Sequence, residues 1–91
     1  MTRLIEVYKN LTEYKIREVY VNPEHVVAMR QDDRMSSVLQ EGSLPEELDK
    51  RQTFTKLYVD RGHTGIDITG IGDLVSVKEK LGLSNKTLLK G

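Results

Sequence analysis

The chain has 91 residues, which is enough for one domain with a modest core and too few for two. Its 14 Lys and Arg residues balance 14 Asp and Glu residues, so no dominant field attracts or imitates a polyanion. The absence of cysteine excludes disulfides, thiolate metal sites and thiol nucleophiles. No apolar stretch approaches the roughly 18 residues of a membrane span, and we expect a cytoplasmic protein.

Three strands are predicted in the first third of the chain, at 2–9, 14–21 and 25–29. In the first strand Ile5 and Val7 lie on one face and Leu4 lies on the other, so both faces are partly apolar. In the second strand the apolar phase changes across Arg17 and Glu18, which predicts either a bulge or a late start of the strand.

Residues 30–52 interrupt this pattern and are strongly polar, which predicts a long loop or insertion. Ser43 followed by Pro45 and Glu46 has the signature of a helix start, so a short helix is possible at 43–50. We expect the segment to lie outside the core, so that deleting it preserves the fold. In the alternative, the 43–50 helix packs on the sheet as part of the core. The apolar members of the segment are Met35, Val38, Leu39, Leu44 and Leu48.

Two further strands are predicted at 53–59 and 64–69, joined by a turn in which Gly62 can adopt a positive φ. A helix follows Gly70, with Asp73 as its N-cap and Gly82 as its stop, and residues 84–91 form a tail. The fold class is therefore α+β: a small, mostly antiparallel sheet of about five strands with one C-terminal helix packed on it. The predicted core is Ile5, Val7, Val19, Val21, Val27, Met29, Leu57, Val59, Ile66, Ile68, Leu74, Val77 and Leu81.

The glycines of "GHTGIDITGIGD" suggest a phosphate-binding turn, but the wider sequence does not support one. Val75 stands where a dinucleotide fingerprint has its third glycine, and too little chain follows Gly82 for a second parallel strand. Asp73 would place a carboxylate where the anion should bind. We interpret Gly70 and Gly72 as a tight strand-to-helix corner, and we expect no cofactor.

Catalytic chemistry is not predicted either. His25 and His63 are the only histidines and are far apart in the sequence, so we interpret them as turn residues without a metal. The adjacent carboxylates Asp32-Asp33 and Glu46-Glu47 are interpreted as solvated loop charges. No serine lies in a nucleophile-elbow context. We therefore expect a protein that is not an enzyme.

The stretches "VYVNPEHVVAM" and "TFTKLYV", together with the final helix, resemble the small flagellar FlbD and swarming SwrD family. Val21, Asn22 and Pro23 match that family's Leu-Asn-Pro at the end of a strand. The second strand and the Thr-rich hairpin strand match over 26–29 and 53–59. The layout is also similar to that of many uncharacterised small phage and bacterial proteins, and the resemblance implies a fold and not a motility function.

Two classes of function remain. The first is a non-catalytic protein-binding module of the kind used as a phage-type accessory or regulatory protein acting on a host complex, with assembly into a homo-oligomer as one form of it. Its candidate partner-binding residues are Met35, Leu39, Leu44, Leu48, Phe54, Lys56 and Tyr58. The alternative is a single-stranded nucleic-acid binder that uses an aromatic and basic sheet face. Its stacking rings would be Tyr8, Tyr14, Phe54 and Tyr58, with phosphate contacts from Lys9, Lys15, Arg17, Lys56 and Arg61.

Overall fold

A computed structural model describes residues 1–60, 62 and 64–83 of the chain. Its elements are β1 (Thr2–Asn10), β2 (Glu13–Val21), a 3-10 turn (Pro23–His25), β3 (Val26–Gln31), α1 (Asp33–Gln40), β4 (Phe54–Asp60), β5 (Gly65–Ile71) and α2 (Leu74–Leu81). The strands form one antiparallel sheet in the order β2-β1-β5-β4-β3. This arrangement confirms a small α+β domain. The predicted tail at 84–91 lies outside the described residues, as do Arg61 and His63.

The sheet is curled, because β2 and β3 are its two opposite edges and yet are joined by only Asn22–His25. Neighbouring strands lie about 4.8 Å apart, so the edges of a flat five-stranded sheet would be roughly 19 Å apart. An extended chain spans at most about 3.6 Å per residue and a 3-10 turn rises only about 2 Å per residue. The connection therefore requires the edges to approach each other. The β1–β5 ladder is short, with the pairs Glu6–Gly70 and Val7–Thr69.

The main core lies inside the curl, on the concave face. Leu57 of β4 pairs with Ile68 of β5, and both pack with Leu4 of β1 and with Val77 of α2. Burial of such side chains is the dominant favourable term in folding, at about 25 cal/mol per Å² of apolar surface. The buried members of this cluster are Leu4, Val21, Leu57, Val59, Ile68, Val77 and Leu81.

A second apolar cluster lies on the convex face, under α1 and the segment that follows it. Phe54 has no exposed surface and packs with Val7, Leu39 and Leu44. The prediction that the segment between β3 and β4 lies outside the core is therefore wrong. The apolar side chains of that segment cover Phe54, which the sequence analysis names as a candidate partner-binding residue. Each face of the sheet thus has a core of its own.

The helix in this segment begins ten residues earlier than the sequence predicts. Asp32 is its N-cap, and one carboxylate oxygen accepts a hydrogen bond from the Met35 N–H at 3.0 Å. The other oxygen accepts a hydrogen bond from the Thr69 hydroxyl at 3.2 Å. The buried Asp32 side chain therefore links α1 to β5 and is not a solvated loop charge. At 43–50 the chain forms turns, in which Leu48 N–H donates to the Pro45 carbonyl.

The chain after α1 folds back onto the end of that helix. The Lys50 ammonium donates to the Leu39 carbonyl at 3.0 Å, and the Gln40 amide donates to the Lys50 carbonyl at 2.6 Å. A cation at the last carbonyls of a helix satisfies orphan acceptors and favours the helix dipole. These bonds hold Leu44 in its buried position against the convex face.

The start of β4 anchors both helices. The Asp32 N–H donates to the Phe54 carbonyl at 2.8 Å, immediately before α1 begins. Gly72, at the corner before α2, donates to the Thr53 carbonyl at 3.0 Å and accepts from the Thr55 hydroxyl at 3.0 Å. Gly72 has φ +129°, a conformation that L side chains rarely adopt. The residue is therefore a structural corner, which requires glycine.

Two local predictions about strands need correction. Register between β1 and β2 runs from Thr2–Val21 to Asn10–Glu13 without a shift, so the bulge expected at Arg17 and Glu18 is absent. A shift occurs instead in β3, between Val26 and Ala28. The apolar residues of β2 change sides because Tyr14 and Ile16 lie on one face of the sheet and Val19 and Val21 lie on the other. The backbone of the strand stays regular.

Leu39 tests the convex cluster. Because this side chain is 2% exposed, Leu39→Ala should lower the free energy of unfolding by about 2–5 kcal/mol, the usual cost of a cavity in a packed core. Val75→Ala on the exposed face of α2 is the control and should change it by less than about 0.5 kcal/mol. Urea denaturation measures both. Equal stabilities of the two variants would show that the α1 segment does not contribute to the core.

Asp73 tests the capping of α2. Its carboxylate accepts a hydrogen bond from the Ser76 N–H at 2.7 Å, which lowers the pKa of Asp73 below the usual 3.8. A lowered pKa adds stability above the unfolded-state pKa, and that stability is lost as the pH falls through the folded-state value. Asp73→Asn keeps the cap but does not titrate. The stability difference between wild type and variant should therefore shrink as urea denaturations are run at successively lower pH below 3.8. A difference independent of pH would contradict this role.

Candidate binding groove

An apolar groove opens on the concave side, where the edge of β2 approaches β4 and β5. Its volume is about 310 Å³. Val59 and Ile68 form its floor and belong to the main core, so a side chain entering the groove would contact that core directly. The lining residues are Met1, Val19, Tyr20, Val21, Asn22, His25, Val59, Ile66 and Ile68. We call this feature the groove.

Two residues predicted to be buried are exposed at the groove and beside it. Ile66 is 42% exposed and Val27 is 56% exposed. Ile66 lines both the groove and a shallower recess of about 390 Å³ that also contains Val27 and Tyr58. Val27 lies at the register shift between Val26 and Ala28, so that Val26 and Met29 pack against the concave core and Val27 does not. Ile66 pairs with Val59 near the start of β5, and its exposure depends on long-range packing that the alternation of the sequence does not encode.

The polar groups of the groove are few. Of its described lining residues, none is Lys or Arg, and its side-chain polar groups belong to Tyr20, Asn22 and His25. The Asn22 side chain accepts a hydrogen bond from the Glu24 N–H at 3.0 Å and so stabilises the 3-10 turn. The groove therefore suits apolar side chains with polar groups at its rim.

Side chains of β2, the strand that forms one wall of the groove, form ion pairs with side chains of β1. Arg17 donates from Nε to Glu6 at 2.7 Å, and its guanidinium lies 3.9 Å from the centre of the Tyr8 ring. This hydrogen bond raises the pKa of Arg17, and a hydrogen bond to Glu18 raises the pKa of Arg3 in the same way. Both guanidinium groups are consequently fixed charges at any accessible pH.

The sequence-predicted partner-binding residues do not form one surface. Leu39, Leu44 and Phe54 are buried in the convex cluster, and Met35 and Leu48 are half-buried against it. Their burial explains why a polar segment carries apolar residues, and it removes the premise that they are free to contact a partner. Lys56 and Tyr58 are half-buried on the convex face. The Lys56 ammonium lies 3.7 Å from Asp67, and the Arg30 guanidinium lies 5.4 Å from the Tyr58 ring centre.

The four rings proposed for base stacking are also separated. Tyr8 lies on the concave side under Arg17, whereas Tyr58 lies on the convex side beside Arg30. Tyr14 packs against the convex cluster and Phe54 is inside it. Stacking of successive bases requires rings in a row along one groove, and the described rings do not have that arrangement. Among the proposed phosphate contacts, Arg17 and Lys56 are paired with carboxylates, and Arg61 lies outside the described residues.

The strand-to-helix corner offers little to an anion. The Gly72 N–H already donates to the Thr53 carbonyl, and the Asp73 carboxylate occupies the helix N-terminus. Within residues 1–60, 62 and 64–83, no three His, Asp or Glu side chains come together as a metal site. In the same ranges no helix has the length and apolar character needed to span a bilayer.

Comparison with known proteins finds no family model, no curated protein and no solved structure that matches the chain. The resemblance to the FlbD and SwrD family accordingly stays a prediction.

Proposed function

We propose that this protein is a non-catalytic binding module that takes apolar side chains of another protein into the groove. The observation that carries the proposal is the exposure of Val27 and Ile66 beside a recess whose floor is the main core. A small accessory or regulatory protein acting on a larger complex, as phage-type proteins do, would use such a surface.

The groove leaves apolar side chains exposed to water. Single exposed apolar residues are normal on protein surfaces and need no explanation. Here Met1, Tyr20 and Ile66 are all exposed and line the same groove, so one inserted side chain would bury several of them together. Burial of one aliphatic side chain contributes about 1.5–3 kcal/mol. Contiguous patches of this kind mark interaction sites more often than isolated residues do.

The composition of the groove favours a protein over a nucleic acid. Phosphate recognition uses Arg, Lys or free backbone N–H groups, whereas the side chains at the floor of the groove are Val59 and Ile68. A homo-oligomer would also cover this surface, and that expectation stays a prediction. The partner that the surface fits is an apolar segment with polar flanks.

The proposal is tested by selection of random linear peptides on the immobilised full chain. Enriched peptides should carry apolar residues, and their binding should weaken at least tenfold in Ile66→Glu. Val75→Glu is the matched control, because it replaces another exposed aliphatic residue, on α2 and away from the groove. Methyl chemical shifts should change at Val19, Val21 and Ile68 on binding. Peptides that bind both variants equally, or a failure to enrich any, would contradict the proposal. Circular dichroism confirms that each variant is folded.

A further inference from the structure

The outer edge of β2 is unprotected by backbone irregularities. Within the described residues this nine-residue strand pairs with β1 alone, and it contains no Pro, no Gly and no bulge. The opposite edge, β3, is shorter and carries the register shift beside Val26. Of the features by which proteins protect a long sheet edge, β2 has charged side chains alone. Between the two edges, β2 is therefore the one that can accept another strand.

The hairpin geometry fixes which residues of β2 face outward. Leu11 and Thr12 form a two-residue loop, so the flanking pair Asn10–Glu13 is a hydrogen-bonded pair. Bonded and non-bonded pairs alternate from there, and the odd-numbered residues of β2 bond to β1. The residues that direct their N–H and C=O groups outward are Tyr14, Ile16, Glu18 and Tyr20.

A second copy of the chain is a poor partner for this edge. In an antiparallel pair of two β2 strands, a residue that directs its backbone groups outward must lie opposite another such residue of the second copy. Only every second register of the two strands meets this condition. The registers that pair most of the strand centre on Ile16, Arg17 or Glu18. The first places Lys15 opposite Arg17, and the other two place Arg17 or Glu18 opposite its own copy. Like charges directly opposite each other destabilise a strand pair.

We propose that the edge of β2 binds an extended segment of a partner protein as an added antiparallel strand. This inference rests on the proposed function, because Val19 and Val21 of the same strand line the groove. Side chains of the added strand opposite these two valines would be apolar and would enter the groove. Those opposite Arg17 and Lys15 would be acidic. Main-chain bonds would supply affinity and the alternate side chains specificity.

Charge complementarity supports this choice of partner. Lys15 lies on the same face as Arg17 and makes no ion pair among the described residues. Arg17 donates to Glu6 from Nε, and most of the five donors of its guanidinium are therefore available to a second carboxylate. The two cations follow the apolar pair along one face. The partner pattern, read antiparallel, is two alternating apolar residues followed by two alternating acidic residues.

The probe is a synthetic nine-residue peptide with blocked ends. It has valine at positions two and four, glutamate at positions six and eight, and threonine elsewhere. In the proposed register these four residues face Val21, Val19, Arg17 and Lys15. Isothermal titration should detect binding, and lysine at positions six and eight should weaken it at least tenfold. Absence of binding by the glutamate peptide, or equal binding by the lysine peptide, would overturn the inference.

N-methylation of the peptide separates strand addition from simple groove binding. Amides at positions five and seven would face β2, and amides at positions four and six would face away. Methylation of the first pair should abolish binding, whereas methylation of the second pair, the matched control, should retain it. If both methylated peptides bind alike while Ile66→Glu still removes binding, strand addition is wrong and the groove proposal stands.

The like charges that oppose pairing of two β2 strands can be changed by substitution. Lys15→Glu turns the like-charge contact with Arg17 into an attractive one, twice in a symmetric pair centred on Ile16. Sedimentation equilibrium should therefore show stronger self-association for Lys15→Glu than for wild type. Lys9→Glu makes the same charge change on β1, away from the edge, and should not associate more than wild type. Equal behaviour of the two variants, or strong association of wild type through β2, would overturn the inference.

Discussion

The four-residue connection between β2 and β3 is the constraint on which the rest of the structure depends. It joins the two edges of the sheet and so forces the sheet to curl. Curling gives one face an interior that Leu4 and Leu57 can fill from opposite walls, although they lie on strands that are not neighbours. It also leaves the edges unbonded to each other. The groove lies between one of these edges, β2, and the facing residues of β4 and β5.

A chain of 91 residues obtains two apolar clusters in this way. The concave cluster is closed by α2, and the convex cluster is closed by α1 and the turns after it. A small domain buries a limited fraction of its surface, so covering both faces of one sheet is an economical use of the chain. It also explains why side chains of both phases on β1, such as Leu4 and Val7, are buried.

The sequence predicts the bounds of the strands better than it predicts which distant segments pack against each other. Alternation and turn residues locate all five strands within a few residues, because those signals are contained in short stretches. The α1 helix was missed although Asp32 and Gly42 mark its two ends, since the polar composition around Met35 and Leu39 favoured a loop. Burial of Phe54 could not be predicted without knowing that this segment returns to the convex face.

The candidate binding surface depends on long-range geometry and is the least predictable part of the structure. Val27 and Ile66 have the pattern of core residues, but the register shift in β3 leaves Val27 outside the concave core and Ile66 lies exposed in the lining of the groove. The charged residues of β2 can be read from the sequence. Which residues of β2 direct their backbone groups toward β1 and which direct them outward follows only from the register with β1. Sequence rules commonly fail at sites used for binding, where local preference gives way to function.

The hydrogen bonds at the start of β4 have a mechanical consequence. Three consecutive residues, 53–55, form hydrogen bonds with the segments that precede both helices. The Phe54 carbonyl accepts from the Asp32 N–H before α1, and residues 53 and 55 bond to the N–H and carbonyl of Gly72 before α2. The two helices cover opposite faces of the sheet, yet they share this single anchor point. The positions of α1 and α2 are therefore coupled through residues 53–55, at the end of β4 that lies away from Val59 and the groove.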